Sequence, residues 1–177
     1  MGILEFFWQL DSGLLLWFQS LRQEWMTPFW KVVTSLGDGG WFWIALALIF
    51  LCFGKTRKAG IAALLALAVG ALITNIILKP AFARIRPYEM IDGLILLVEK
   101  QKDFSFPSGH SCASFAAATA LLGHLPRRIG IGLVILALLV ALSRLYVGVH
   151  YPSDVLGGIL VGIGAGCLAG RVVKPAS

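Results

Sequence analysis

Charged residues are scarce in this chain of 177 residues, at 14% of the total, whereas hydrophobic residues make up 58% and the mean hydropathy is +0.85. This balance lies outside the range of ordinary soluble domains and indicates a membrane protein. The chain also lacks a linker-like tract, a block of like charges and an internal repeat. We therefore predict a single domain over residues 1–177, divided into a segment at 1–27 and a transmembrane bundle at 28–177.

Cysteine is also rare, and the three cysteines, Cys52, Cys112 and Cys167, all lie in apolar stretches. We expect them to be small core or lipid-facing residues, not a disulfide framework or a metal cluster. The net charge is +6, but the basic residues cluster at the ends of hydrophobic segments and form no stripe on a soluble face. This distribution argues against nucleic acid as a partner and favours membrane lipids.

Hydrophobic segments of about 20 residues, the length that crosses a bilayer, follow one another from residue 28 onwards. We predict five spans, at 28–53, 59–78, 109–124, 129–147 and 154–171. The first span contains a Gly-Asp-Gly-Gly sequence at 37–40, which predicts a kink or a break. The third span is short and rich in alanine, which is typical of a helix packed closely among others.

The first 27 residues have a different pattern, because apolar residues recur at three- and four-residue intervals with Glu5 and Asp11 between them. This pattern predicts an amphipathic helix lying in the headgroup region. A first transmembrane span is the alternative, and the two acids make it costly. No basic segment precedes the apolar run, so we expect these residues to be retained, not cleaved as a signal peptide. The predicted fold class is therefore all-α: about five transmembrane helices plus an N-terminal interfacial helix.

The connections between the spans differ in charge. Those predicted to lie on one side of the membrane carry basic residues, namely Lys55, Arg57, Lys58, Arg127, Arg128, Arg171 and Lys174. The positive-inside rule makes that side cytoplasmic. The long connection at 79–107 and the short one around His150 are then extracytoplasmic, in a multi-pass protein of the cell (inner, cytoplasmic) membrane.

Two stretches on the predicted outer side carry cations where cations are expensive. The first runs from Lys79 to Pro87 directly after a span, and its cations could simply anchor the helix end to lipid headgroups. In the second, Arg144 follows a run without a single charge, so it needs an anionic partner near the hydrocarbon. That partner could be a ligand, or Arg144 could pair only with Asp154.

A third stretch, from Pro107 to His110, opens a predicted helix. The free backbone N–H groups at a helix N-terminus suit a phosphate group. The structural alternative is that Ser108 only caps the helix.

Taken together, the three stretches resemble the signature of the type 2 phosphatidic acid phosphatase superfamily. That signature runs K-x6-RP, then PSGH, then SR-x5-H-x3-D. Here it reads Lys79 to Arg86-Pro87, Pro107-Ser108-Gly109-His110, and Ser143-Arg144 to His150 and Asp154. Every position matches, and a match of three parts at fixed spacings is far more specific than any one of them.

The resemblance implies a catalytic mechanism and a role for each matching residue. His150 would attack phosphorus and form a phosphohistidine, and Asp154 would fix the tautomer of its ring. His110 would protonate the leaving oxygen and then activate the water. The remaining matching residues would bind the phosphoryl oxygens, as cations or through backbone amides: Lys79, Arg86, Arg144, Ser108 and Gly109.

A metal site is the competing interpretation, because His150 and Asp154 are spaced so that they could share one ligand-bearing face. The three cations that the resemblance brings to the same pocket would repel a divalent ion. We therefore predict neither a metal nor another cofactor.

The predicted function is hydrolysis of the phosphomonoester or diphosphate of a membrane lipid. Undecaprenyl diphosphate is the favoured substrate, and phosphatidylglycerophosphate, phosphatidate and lipid A phosphate are alternatives. Acidic residues of the long outer connection, Glu89, Asp92, Glu99 and Asp103, are expected to add negative charge near the entrance. The signature also occurs in vanadium-dependent haloperoxidases, which are larger and soluble. A carrier of lipid phosphates is the non-enzymatic alternative, although it would not need both histidines. The sequence does not predict an oligomeric state.

Overall fold

The computed structural model describes residues 2–174, without the side chains of residues 3 and 4. Residue 1 and residues 175–177 of the predicted domain lie outside the described residues. Within residues 2–174 the secondary structure is helical, without β-strands. The helices are α1 (Ile3–Ser20), α2 (Thr27–Ser35), α3 (Trp41–Leu51), α4 (Arg57–Ala71), α5 (Lys79–Phe82), α6 (Pro87–Met90), α7 (Gly109–Leu122), α8 (Arg127–Tyr146) and α9 (Pro152–Val172). Short 3₁₀ turns lie at Glu24–Met26 and Asp38–Gly40, and a π-helical segment at Leu72–Leu78 follows α4 directly.

Three helical segments are long and apolar enough to cross a membrane: Arg57–Met90, Arg127–Tyr146 and Pro152–Val172. A fourth forms if Glu24–Ser35 and Asp38–Leu51, which are bent by 44° at their junction, count as one span. The bend falls at the predicted Gly-Asp-Gly-Gly sequence, where Gly39 and Gly40 have φ angles of 57° and 71° that an L side chain rarely adopts. The all-α membrane fold is confirmed, with fewer full-length spans than the five predicted.

The predicted span at 109–124 corresponds to α7, which has only 14 residues. It lies at the centre of the bundle, in contact with α4, α8 and α9. Most of its side chains are buried, including Ala116, Ala117 and Ala118, which have no exposed surface. Because neighbouring helices cover it, α7 does not need the length that a lipid-facing helix requires.

Helix α1 packs on α8 and α9 through one face. Leu15 on that face is fully buried, and Asp11 and Ser12 are nearly so. The other face exposes large apolar side chains, namely Phe6, Phe7, Leu10, Leu14 and Trp17. The position of this helix at the membrane surface stays a prediction.

A row of glycines on α9 sets how closely this helix approaches α7. Gly158, Gly162 and Gly166 follow one another at four-residue intervals and face α7. A Cβ atom on Gly162 would lie 2.5 Å from the carbonyl oxygen of Cys112, and one on Gly166 would lie 2.8 Å from that of Ala116. The two backbones are therefore in contact, in the manner of small-residue motifs of membrane helices.

We expect Gly162→Ala to push α9 away from α7 and to lower the free energy of unfolding by about 1–3 kcal/mol, the usual cost of overpacking. Gly164→Ala is the matched control, because a Cβ there meets nothing within 4 Å. Thermal unfolding of the detergent-solubilised protein compares the two variants. Equal midpoints would show that the close approach contributes nothing to stability.

Candidate active site

A cavity of about 520 Å³ opens at the end of the bundle where α4, α7 and α8 meet the long connection. It brings together residues from all three stretches that the sequence singled out. The predicted site residues that line it are Lys79, Arg86, Gly109, His110, Arg144 and His150. Ser108 and Asp154, both fully buried, lie behind its wall.

Irregular backbone places the residues of the first stretch. The π-helical segment at Leu72–Leu78 widens the end of α4, as such segments often do at functional sites, and it leads directly into Lys79. After α5, Ala83 adopts a left-handed conformation with φ 43°, which is strained for a residue other than glycine. The chain therefore turns sharply between Lys79 and the pair Arg84 and Arg86, and all three cations contact the same end of the bundle.

Lys79 and Arg86 share one carboxylate. Asp103 accepts a hydrogen bond from Lys79 Nζ through Oδ2 and one from Arg86 Nη2 through Oδ1, the latter at 2.6 Å. Arg86 also donates to the main-chain oxygens of Asp103 and Val149, each at 2.9 Å. Both cations are nearly buried, whereas about half of the Asp103 side chain is exposed.

These contacts determine the charge of Asp103, which lies in the connection outside the spans. Burial alone would raise the pKa of its carboxyl group, but the hydrogen bonds and attraction from Lys79 and Arg86 outweigh burial and lower that pKa to about 2. Asp103 is therefore ionised at every physiological pH. It bridges two of the cations that the sequence predicted would bind phosphate.

His150 follows a tight turn at the end of α8. Gly148 has a φ of 82°, and a Cβ on it would lie 3.0 Å from the carbonyl oxygen of Ile95, so the turn requires glycine. The turn directs His150, which is 2% exposed, into the cavity wall. Its Nδ1 lies 3.5 Å from Asp154 Oδ2, and its Nε2 lies 3.4 Å from Arg86 Nη1.

The surroundings keep the His150 ring neutral. Burial lowers its pKa most, and the positive charges of Arg86 and Arg144 lower it further, so that the pKa is about 3 despite the opposing effect of Asp154. A neutral ring that donates from Nδ1 towards Asp154 has its lone pair on Nε2. This nitrogen faces the cations of the cavity.

Asp154 is held by several donors besides the histidine. Its carboxylate accepts hydrogen bonds from Ser105 Oγ at 2.5 Å, from the Tyr151 amide at 2.9 Å and from Arg84 Nη1 at 2.6 Å. Asp154 is the third residue of α9, whereas His150 precedes that helix, so their contact depends on the helix start and not on a shared helical face. Asp154 thus pairs with Arg84, and the alternative in which Arg144 pairs only with Asp154 is wrong.

Arg84 connects this carboxylate to the N-terminal helix. Its Nη2 donates to Asp11 Oδ2 at 2.6 Å, and its Nη1 donates to Ser153 Oγ at the same distance. Asp11 also accepts from the Ser153 amide at 2.9 Å. The guanidinium lies 4.0 Å from the centre of the Tyr151 ring. Helix α1 therefore supports the site from behind, through residues that the sequence analysis did not select.

Arg144 is 2% exposed and differs from the other cations in its partners. Its Nη1 donates to the hydroxyl of Thr34 at 2.5 Å. Its buried Nε has no hydrogen-bond partner among residues 2–174, and the side chain lines the cavity. A buried cation with unsatisfied donors is costly without an anion, so this end of the cavity suits a negatively charged ligand.

At the start of α7, only one of the two backbone amides predicted to bind phosphate, those of Ser108 and Gly109, is free to do so. The Ser108 hydroxyl caps the helix by accepting from the Ser111 amide, and the Ser108 amide donates to the Asp154 carbonyl at 2.9 Å. The Ser108 amide is therefore already hydrogen-bonded within the protein and does not face a ligand. Gly109 is the first residue of the helix, where an amide has no acceptor within the helix, and it lines the cavity.

His110 lies where two cavities meet. A second cavity, of about 910 Å³, shares Gly39, Gln101, His110 and Arg144 with the first. It is lined further by polar residues of α2 and by both apolar and polar residues of the long connection, at 96–99. The Nε2 atom of His110 lies 2.9 Å from Asp38 Oδ1. Asp38, like Asp103, Ser105, Arg84 and Asp11, was not among the predicted site residues.

The only sequence signals for these additional residues were weak. Arg84 lies inside the first stretch, and Asp38 is the single non-glycine residue of the predicted break. Asp103 and Ser105 stand a few residues before the stretch from Pro107 to His110, and Asp11 was noted only as a charge in an apolar segment.

Comparison with known proteins finds relatives that are named as phosphatases. An undecaprenyl-diphosphatase of Sulfolobus acidocaldarius is 38% identical over 120 residues, which are 68% of this chain and 58% of that protein. A lipid A 4'-phosphatase of Bacteroides thetaiotaomicron is 30% identical over 173 residues, covering 90% of this chain and 75% of the relative. The match to the first of these relatives therefore spans little more than half of its length.

The fold matches a solved structure as well. The crystal structure of Aquifex aeolicus LpxE superimposes with a TM-score of 0.81 at 26% identity, covering 92% of this chain and 95% of that one. The model of the PAP2 superfamily matches residues 59–176, which include all three stretches of the signature. The chain therefore belongs to the PAP2 superfamily.

Proposed function

We propose that this protein is a membrane phosphatase that hydrolyses a lipid phosphate or diphosphate through a phosphohistidine intermediate. The observation that carries the proposal is the orientation of His150. Its ring is neutral, its Nδ1 is turned towards a buried carboxylate, and its Nε2 faces a cavity lined by cations. An imidazole held in this way is a nucleophile without any further proton transfer.

In the first step, the Nε2 lone pair of His150 attacks phosphorus while the bond from phosphorus to the leaving oxygen breaks. The ring becomes positively charged, and Asp154 stabilises it through Nδ1. His110 donates a proton to the leaving oxygen. In the second step, water attacks phosphorus, the P–N bond breaks, and His110 takes the proton from the water, so that both histidines return to their starting states.

The phosphoryl oxygens bind to Lys79, Arg86, Arg144 and the Gly109 amide. The guanidinium of Arg144 carries the most free donor capacity, since its Nε lacks a partner among the described residues. Negative charge that develops on the phosphoryl group is stabilised by donors that are already in position. Ser108 acts in this scheme as the helix cap behind the cradle, because its amide is engaged by Asp154. The scheme requires no metal ion.

The two cavities suit the two parts of a lipid phosphate. The first is lined on one side by apolar residues of α3 and α4, including Ile44, Leu64 and Leu67. The second is bordered by polar residues such as Lys31 and Glu99. We therefore assign the apolar side to the lipid chain, which enters from the bilayer, and the polar side to water and released phosphate. The charge bias of the connections supports an extracytoplasmic position for this polar side.

The substrate that we favour is a polyprenyl diphosphate such as undecaprenyl diphosphate. Support comes from the similarity to an undecaprenyl-diphosphatase and from the apolar side of the first cavity. Similarity to a lipid A 4'-phosphatase keeps lipid A phosphate as an alternative. Phosphate release from undecaprenyl diphosphate, phosphatidylglycerophosphate, phosphatidate and lipid A, with EDTA present, ranks the candidates. Activity that EDTA abolishes, or transport without phosphate release, would contradict the proposal.

Replacement of the two histidines should have different effects. We expect His150→Ala to abolish both turnover and the covalent phosphoenzyme, because no nucleophile remains. His110→Ala should slow monoesters by about 10²–10⁴-fold, the usual contribution of general acid–base catalysis, and diphosphates less, because their leaving group needs less protonation. Acid quenching with labelled lipid and mass spectrometry locates the phosphohistidine. A phosphoenzyme at residue 110, or an active His150→Ala enzyme, rules out this assignment.

Asp103 should compete with the substrate for Lys79 and Arg86. We expect Asp103→Asn to lower KM, and to strengthen inhibition by inorganic phosphate, by about two- to tenfold, the equivalent of one hydrogen bond. Because the pKa of Asp103 is about 2, the effect should be constant from about pH 5 to pH 8. Asp92→Asn, a change in an exposed residue of the same connection, is the control. A higher KM would instead mean that Asp103 holds the cations in place for the substrate.

The orientation in the membrane is tested by labelling single cysteines. The parent variant lacks the exposed Cys52 and Cys167. A single cysteine then replaces either Ile95, an exposed residue of the long connection, or Lys55, a residue of the basic connection between α3 and α4. We expect an impermeant maleimide added to intact cells to label position 95 and not position 55. The reverse pattern would put the active site on the cytoplasmic side.

A further inference from the structure

The break in the first membrane segment places one carboxylate in the active site. Between α2 and α3 the sequence is Gly-Asp-Gly-Gly, and Asp38 is therefore the only residue of this turn that has a side chain beyond hydrogen. Gly39 and Gly40 have positive φ angles, and the helical segments before and after this turn are bent by 44° relative to each other. The turn is in contact with α7. A continuous helix through these positions would not have this bend.

The contact with His110 is specific in its geometry. Asp38 Oδ1 lies 2.9 Å from His110 Nε2. On the other side of the turn, a Cβ atom on Gly37 would lie 3.0 Å from Cγ of the His110 ring and 2.9 Å from Cγ1 of Val140. The ring therefore packs directly against the backbone of the turn, and the carboxylate binds one of its two nitrogens.

This arrangement determines which ring nitrogen can exchange protons with a ligand. A carboxylate can only accept, so Nε2 carries a hydrogen in both the neutral and the charged form of the ring. The nitrogen whose protonation changes is then Nδ1. The negative charge of Asp38 attracts the imidazolium form of the ring, and it thereby opposes burial and the positive charges of Arg144 and Lys79, which all disfavour that form.

We propose that Asp38 is a positioning residue for His110, which holds Nε2–H so that Nδ1 donates a proton to the leaving oxygen and later accepts one from the attacking water. The inference rests on the proposed function and adds to it a residue outside the three stretches of the signature. The proton balance is complete within one turnover, because the proton that Nδ1 gives to the leaving group in the first step is replaced by the one taken from water in the second. Asp38 itself keeps its charge throughout.

The dependence on the leaving group separates this role from a structural one. Asp38→Asn keeps the size of the side chain and removes its charge. For a lipid monophosphate, whose alkoxide leaving group needs a proton, we expect kcat to fall by about 10- to 100-fold with KM changed less than about twofold, a part of the ~10²–10⁴-fold contribution of acid–base catalysis. For a nitrophenyl phosphate, whose leaving group needs almost no proton, kcat should change less than about threefold.

Two further variants complete the experiment. Glu24→Gln removes an exposed carboxylate that lies outside both cavities and should leave both substrates unaffected. The double variant Asp38→Asn with His110→Ala should be no slower than His110→Ala alone, since residues that act as a unit are not additive. Equal losses on both substrates, or additive losses in the double variant, would overturn the role of Asp38. A wild-type protein that releases no phosphate from any substrate would instead overturn the proposed function.

Discussion

Positive charge buried at the end of a membrane helix bundle is costly, and it must be balanced by anions nearby. Three cations of this site obtain carboxylates from the chain itself. Lys79 and Arg86 share Asp103, and Arg84 lies between Asp11 and Asp154. Arg144 donates to the hydroxyl of Thr34, has an unsatisfied Nε and forms no direct ion pair among the residues described. Its free donor suits an incoming phosphate group. That group can also displace the half-exposed Asp103 more readily than the fully buried Asp154.

Such a balance requires side chains from distant parts of the sequence to keep fixed positions. The close contact of α7 and α9 fixes the start of α7, where the Ser108 amide binds the Asp154 carbonyl. Elsewhere the site depends on breaks in regular structure: the π-helical segment before Lys79 and the left-handed residues Ala83 and Gly148. Each break directs a polar side chain towards the cavity, whereas a regular helix would present it to the lipid or to a neighbouring helix.

The sequence predicted the parts of this arrangement that have a local pattern. Apolar segments of about 20 residues predicted the helical bundle, the Gly-Asp-Gly-Gly sequence predicted the break at 37–40, and the spacing of three motifs identified the residues of the signature. Composition does not reveal that other helices cover α7, and this explains why the predicted span at 109–124 is a helix of only 14 residues. Asp38 and Asp103 were missed for a similar reason. A single carboxylate in a glycine turn or a polar connection has no local signature, and its role arises only from a contact with residues 72 or 24 positions away.

The two histidines have opposite requirements, and their surroundings differ accordingly. In the proposed mechanism His150 must be neutral before it attacks phosphorus and must be shielded from water, and its partner Asp154 has no exposed side-chain surface. His110 must exchange protons in every turnover, and its partner Asp38 has a side chain that is 63% exposed and lines the second cavity. A buried carboxylate orients a nucleophile with little change in hydration, whereas an exposed one stabilises a charge that appears and disappears. Two Asp–His pairs of the same composition can therefore serve as nucleophile and as acid–base group because water reaches only one of them.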